Sequence, residues 1–157
     1  MTGVHWSLTI EPDWELIEVA RNRVCVLLAT YSRELQMATM MSVTELLENA
    51  VKYGEATPEV PHISLEVSVI DDLLRIEVRN GTKRCQHLDK LTANLERLAA
   101  AKDKSSLYLE AIEKTGESST EHAGGLGLYR IASEGGFDIR CGYENQMVRI
   151  TATRRIA

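Results

Sequence analysis

Four polar side chains recur at helical spacing in a short amphipathic stretch. Residues 44–55 read TELLENAVKYGE and contain Glu45, Glu48, Asn49 and Lys52. At about 100° of rotation per residue, all four side chains project from one stripe of the helix surface, and this stripe is roughly 100° wide. The stripe is either a solvated surface, in which Glu48 and Lys52 form an i,i+4 pair, or a site where a carboxylate, an amide and an ammonium group bind a ligand together.

A glycine-rich segment, GGLGL at positions 124–128, precedes a predicted short helix. Gly124, Gly125 and Gly127 let a ligand approach the backbone, and the free N–H groups at a helix start favour a phosphate. The segment is not a Walker loop, because no Gly-Lys-Ser/Thr follows, and it lacks the GxGxxG spacing of a dinucleotide site. Taken alone, it is equally consistent with a glycine-rich hinge.

The periodicity of the chain predicts the elements that position these two motifs. Apolar residues recur at helical spacing at 14–31, at 34–53, across 86–114 in two pieces, and after position 124. Alternating polarity predicts strands at 4–10, 62–70 and 73–79 and a C-terminal hairpin around a Glu144-Asn145 turn, and residues 115–122 have loop composition. This order predicts an α+β fold with helices packed on one face of a mostly antiparallel sheet.

Length and charge bound the class of protein. The chain has 157 residues without a repeat or linker, which predicts one domain over residues 1–157. A net charge of −5 argues against nucleic acid or an anionic membrane as a partner, and no apolar run reaches the roughly 20 residues of a membrane span. Three scattered cysteines, four scattered histidines and no secretory signal predict a cytoplasmic protein without a disulfide framework or zinc site.

In this order, the two motifs resemble those of the GHKL superfamily, the ATPases related to gyrase, Hsp90, histidine kinases and MutL. The N-box corresponds to Glu45–Tyr53, the G1 region to 79–82, the ATP lid to about 83–123 and the G2 box to 124–128. The resemblance implies the two-layer sandwich of the histidine-kinase-like ATPase fold, with ATP and Mg²⁺ as ligands.

The resemblance also implies roles for individual residues. Asn49 would bind Mg²⁺ through its amide oxygen, Lys52 would contact a phosphate, and Glu45 would act as the catalytic base for in-line attack on the γ-phosphate. Glu48 is assigned to surface or lid contacts. The other expected contacts are Tyr53 beside the purine and the backbone of Gly124, Gly125, Gly127 and Leu128 around the phosphates.

The G1 region departs from the pattern of the superfamily, in which Asp-x-Gly-x-Gly supplies an Asp that accepts from the adenine amino group. Here the segment reads RIEVRNGTKRC, so Arg79 or Asn80 occupies that position and only Gly81 remains of the glycines. Arginine cannot accept a hydrogen bond, whereas Asn80 can through its amide oxygen. Exchange of a carboxylate for an amide weakens such a contact by on the order of 1 kcal/mol.

The length of the chain favours the anti-sigma-factor serine/threonine kinase branch, because gyrase, MutL and Hsp90 carry a second domain and sensor kinases carry a phosphoacceptor hairpin. The expected function is an ATP- and Mg²⁺-dependent protein kinase in bacterial partner switching. Its substrate would be a small antagonist-type, STAS-like protein, and a sigma factor or other regulator and a homodimer are further expected partners. The alternative is a catalytically weak or inactive GHKL-fold module that sequesters a regulatory partner.

Overall fold

A computed structural model describes residues 4–10, 14–82, 85–117 and 125–156, and in these ranges the chain forms five helices and five strands. The strands are β1 (Val4–Ile10), β2 (Ile63–Ile70), β3 (Leu73–Gly81), β4 (Asp138–Glu144) and β5 (Met147–Arg155). The helices are α1 (Glu15–Leu27), α2 (Arg33–Tyr53), α3 (Cys85–Ala100), α4 (Lys104–Glu117) and α5 (Gly125–Ser133).

The five strands form one antiparallel sheet in the order β1-β2-β3-β5-β4. Two tight hairpins set its register, and both turns place two consecutive residues at positive φ, as two-residue hairpins favour. Asp71 and Asp72 have φ of 50° and 65°, and Asn145 and Gln146 have φ of 52° and 62°. The second turn lies one residue later than predicted, because Glu144 still pairs with Met147 at the end of β4.

The helices cover one face of the sheet, which confirms the predicted two-layer α+β architecture. Alternate residues of β3 point into this layer and are fully buried, namely Leu74, Ile76 and Val78. The central helix, α2, begins at Ser32, whose hydroxyl accepts from the backbone N–H of Leu35 at 3.2 Å. The buried side of α2 consists of Leu35, Ala38, Thr39, Ser42, Val43, Leu46, Leu47 and Ala50.

The opposite face of the sheet is polar and contains a buried carboxylate. Glu77 on β3 is 2% exposed and accepts from Arg79 at 2.7 Å and from Arg75 and Arg149 at 3.2 Å each. A carboxylate is retained in such a position when ionic hydrogen bonds replace its lost hydration. The three guanidinium groups therefore cover Glu77 and link β3 to β5.

The predicted helix boundaries need two corrections. The first helix ends at Leu27, not at Tyr31, and α4 continues to Glu117 through positions that the sequence predicted as loop. Asp103 caps the start of α4, because its carboxylate accepts from the backbone N–H groups of Ser105 and Ser106 at 3.0 and 3.3 Å. The predicted lid contains α3 and α4, whereas residues 83–84 and 118–124 lie outside the described ranges.

Among the helices that the structure describes, none is both long enough and apolar enough to traverse a membrane.

The substitution Glu77→Gln should lower the free energy of unfolding by about 1–2 kcal/mol, because Arg75, Arg79 and Arg149 lose the charge that separates them. Urea unfolding at neutral pH measures this change. The matched control is Glu66→Gln on β2, whose side chain is 32% exposed and 3.9 Å from Arg79, and which should cost about 0.5 kcal/mol or less. Equal effects of the two substitutions would contradict a special role for Glu77.

Candidate functional site

The polar stripe of α2 and the glycine-containing start of α5 border the same cavity. The cavity has a volume of about 350 Å³, within the range of roughly 300–1,000 Å³ that small-molecule sites occupy. Its walls come from α2, α4, α5 and the residue before α1. The lining residues are Trp14, Glu45, Glu48, Asn49, Lys52, Tyr53, Tyr108, Leu126, Gly127 and Arg130.

Asn49 carries an unsatisfied hydrogen-bonding group in this cavity wall. Its amide nitrogen is buried and has no hydrogen-bond partner among the described residues. A buried donor without a partner costs about 1–3 kcal/mol, so such a group indicates a ligand or water that satisfies it. The amide also offers a neutral oxygen, a type of ligand that Mg²⁺ accepts.

Glu45 lies directly against the backbone of α5. One carboxylate oxygen, Oε1, accepts from Nη1 of Arg130 at 3.2 Å. The other, Oε2, would lie 2.5 Å from a Cβ atom added at Gly127. A side chain at position 127 would push the carboxylate away from this point, so glycine permits the close approach, a physical role that the motif alone did not reveal.

Opposing effects set the protonation of Glu45. Burial raises the pKa of the Glu45 carboxyl above its ordinary value, and the negative charges of Glu48 and Glu134 add to the rise. The hydrogen bond and positive charge of Arg130 lower it and only partly compensate. Arg130 is itself shared, because its Nε donates to Glu134 at 2.9 Å. The carboxyl is therefore a stronger base than a solvated one.

Lys52 and Tyr53 lie at the end of α2 beside the cavity. The Lys52 ammonium is 5.1 Å from the centre of the Tyr53 ring, a cation–π distance. Glu48, which the sequence assigned to surface or lid contacts, also lines the cavity. The formal charges of Glu45, Glu48, Lys52 and Arg130 cancel, so a bound polyanion would need a further cation.

The expected G2 residues separate into different environments. Gly124 lies outside the described residues, Gly125 begins α5, and Gly127 lines the cavity. The Leu128 side chain is 0% exposed and belongs to the core, so it holds α5 in place and does not line the cavity.

The G1 residues are separate from this cavity. Asn80 continues the helix-facing side of β3, whereas Arg79 is on the opposite face with Glu77, so Asn80 is the residue at the G1 position. Asn80 is 8% exposed, and its Nδ2 donates to the Gly81 carbonyl at 3.0 Å. The same Nδ2 atom would lie 2.8 Å from a Cβ atom added at Gly54.

The space described next to Asn80 and Gly81 is small. This cavity measures about 30 Å³, which is roughly the share of one water molecule in the liquid. The two residues predicted to contact the base are therefore buried against Gly54 and lie outside the wall of the larger cavity.

Three lining residues were not predicted, namely Trp14, Tyr108 and Arg130, whereas Leu126 lies within the predicted G2 box. Arg130 lies three positions after Gly127, so helical spacing could have placed it on the same face of α5. Trp14 and Tyr108 come from distant segments, and no local pattern connects either to the polar stripe of α2.

The substitution Arg130→Met should raise the pKa of Glu45 further, because burial and the charge of Glu48 remain while the compensating guanidinium is lost. A carboxyl with a higher pKa in the folded protein binds its proton more tightly there. The free energy of unfolding therefore falls as pH rises from the ordinary carboxyl pKa through the raised one. Between acidic and neutral pH, the free energy of unfolding of Arg130→Met should therefore fall by on the order of 1 kcal/mol more than that of the parent protein. Urea unfolding at several pH values measures this difference.

The matched control is Arg130→Met in a Glu45→Gln background, where position 45 cannot titrate. The additional pH dependence should vanish there. If it persists unchanged, it arises from another group, and the assignment to Glu45 is wrong.

Comparisons with known proteins show the fold only. No protein-family model and no curated protein matches the chain. Its fold is similar to part of a solved structure, the RsbU and RsbW domains of Rv1364c from Mycobacterium tuberculosis, with a TM-score of 0.58 and 13% sequence identity. The match covers 97% of this chain and 32% of the other, so this chain spans about a third of that structure's length. The chain thus has an α+β fold consistent with the GHKL-like ATPase fold.

Proposed function

We propose that the protein is an ATP- and Mg²⁺-dependent serine/threonine protein kinase of the partner-switching type. The observation that carries this proposal is the convergence of Glu45, Asn49 and Gly127 on one cavity of about 350 Å³. These residues combine a buried amide N–H group without a partner among the described residues, a carboxyl of raised pKa and a backbone without a side chain. Together they suit a phosphate-bearing ligand and a hard cation.

Each residue of the cavity has a task in this proposal. When bound, MgATP supplies the transferable phosphoryl group and the cation that neutralises it. Asn49 holds the metal or a phosphate oxygen with its amide, and Lys52 and Arg130 supply positive charge to the anionic ligand. Glu45 accepts the proton of the attacking hydroxyl, for which its raised pKa is an advantage over a solvated carboxylate.

The proposed substrate is a small antagonist-type, STAS-like protein, with a sigma factor or another regulator as a second partner. The support for this choice is the fold shared with a structure whose name includes an RsbW domain, together with the N-box and G2 motifs of the sequence. A protein of this kind would act in the cytoplasm.

A second candidate function is a catalytically weak or inactive module that sequesters a regulatory partner. Two observations favour this function. Glu45, the proposed base, already accepts a hydrogen bond from Arg130, and Asn80 is buried beside a space of only about 30 Å³. The two functions differ in whether nucleotide binding and phosphoryl transfer occur.

ATP and Mg²⁺ at 100 times the dissociation constant should raise the free energy of unfolding by about 2.7 kcal/mol. Urea unfolding with and without the ligand measures the stabilisation.

Asn49→Ala should weaken the Mg²⁺-dependent part of this binding by on the order of tenfold, because the amide is lost from the cavity. Isothermal titration with and without Mg²⁺ measures the affinity. The matched control is Asn22→Ala at an exposed position of α1, which should leave the affinity unchanged. Unchanged affinity in Asn49→Ala would refute the metal assignment.

Glu45→Gln should preserve nucleotide binding and reduce phosphoryl transfer by about 100-fold or more, because the amide keeps the shape of the side chain and cannot accept the proton. Transfer is measured with radiolabelled ATP and antagonist proteins encoded beside the gene. Glu18→Gln at an exposed position of α1, outside the cavity, is the control and should retain the rate. Transfer by Glu45→Gln at the wild-type rate would leave Glu45 with a structural role only.

A further inference from the structure

We infer that the site binds the triphosphate of a nucleotide without selecting between adenine and guanine, and that aromatic side chains of the cavity, not Asn80, receive the base. The inference rests on the proposed function and specifies its substrate class. It depends on the environment of Asn80, on the aromatic residues around the cavity and on the polar groups between them.

Asn80 is poorly placed to form a hydrogen bond with a base. Its amide N–H is engaged by the Gly81 carbonyl at 3.0 Å, the side chain is 8% exposed, and the adjoining space of about 30 Å³ is a small fraction of what a purine requires. If this region did open, the amide would present a donor as well as an acceptor. It would then accept from the amino group of adenine or donate to the carbonyl of guanine, so neither purine is favoured.

Three aromatic side chains line the larger cavity, and each comes from a different element. Trp14 precedes α1, Tyr53 ends α2, and Tyr108 lies on α4. Trp14 is 55% exposed, although an indole gains more from burial than most side chains. Stacking on aromatic rings contributes about 1–3 kcal/mol per base and is tolerant of base identity, because every base has a π face.

The polar groups of the cavity recognise features that different nucleotides share. Asn49, Lys52 and Arg130 suit phosphate oxygens, which are identical in ATP and GTP. Glu48 can accept a hydrogen bond from an amino group, and both adenine and guanine carry one. Among the described lining residues, the amide and cationic groups therefore suit phosphate oxygens and the aromatic rings suit a base, and neither set distinguishes the purines.

The two tryptophans of the chain permit a direct test. Trp6 on β1 packs against the core, whereas Trp14 lines the cavity. Trp6→Phe therefore leaves a single tryptophan, and its fluorescence reports on the cavity. This variant is titrated with ATP, GTP and inorganic tripolyphosphate, each with Mg²⁺. We expect ATP and GTP to quench the Trp14 fluorescence with dissociation constants within about threefold of each other. Tripolyphosphate should bind, as measured by calorimetry, with little quenching.

A second variant separates stacking from charge. Tyr108→Leu keeps an apolar side chain on α4 and should weaken ATP and GTP equally, by on the order of tenfold, while the affinity for tripolyphosphate stays the same. A tenfold or greater preference for ATP over GTP in the parent protein would overturn this inference and leave the proposed kinase intact. Failure of all three ligands to bind would overturn the proposed function and the inference with it.

Discussion

The candidate site depends on one close approach, that of the Glu45 carboxylate to the backbone of α5 at Gly127. A Cβ atom at position 127 would lie 2.5 Å from Oε2 of Glu45, so any other residue would displace the carboxylate. One turn later on α5, Arg130 donates to the other oxygen of Glu45 at 3.2 Å. This contact keeps the polar stripe of α2 and the start of α5 on two walls of one cavity, and it explains why a glycine stands inside a helix where alanine would be the better helix former.

The same contact controls the chemistry of Glu45. Burial between two helices disfavours the charged carboxylate, whereas Arg130 favours it, and the net result is a raised pKa. Arg130 is shared with Glu134, so its charge is divided between two carboxylates. A ligand that brings its own negative charge would compete for this guanidinium, and the basicity of Glu45 would then rise. In the proposed kinase, binding of the phosphate donor would thus strengthen the base that the transfer requires.

Local periodicity predicted most of the fold and placed several residues that line the candidate cavity. The spacing of residues 44–55 placed Glu45, Asn49 and Lys52 on one face of a helix, and the structure brings that face to Gly127. Strand alternation could also have decided between the two G1 candidates, because Leu74, Ile76 and Val78 point inward and position 80 continues their series. The contributions of Trp14 and Tyr108 could not be predicted, since they depend on tertiary packing between segments far apart in the chain. The extent of α4 was missed because residues 115–122 have the polar composition of a loop, whereas α4 continues to Glu117.

The environment of Asn80 shows why the two ends of the expected nucleotide site differ. The Gly81 carbonyl accepts both from the Asn80 amide at 3.0 Å and from the backbone N–H of Glu55 at 2.7 Å. Together with the packing of Asn80 on Gly54, these bonds fasten the end of α2 to the end of β3. Lys52 and Tyr53 occupy the last turn before this anchor, so the anchor also fixes their position beside the cavity. Because the Asn80 amide donates to the protein's own backbone, it holds the end of α2 in place beside the cavity and is not available to bind a ligand there.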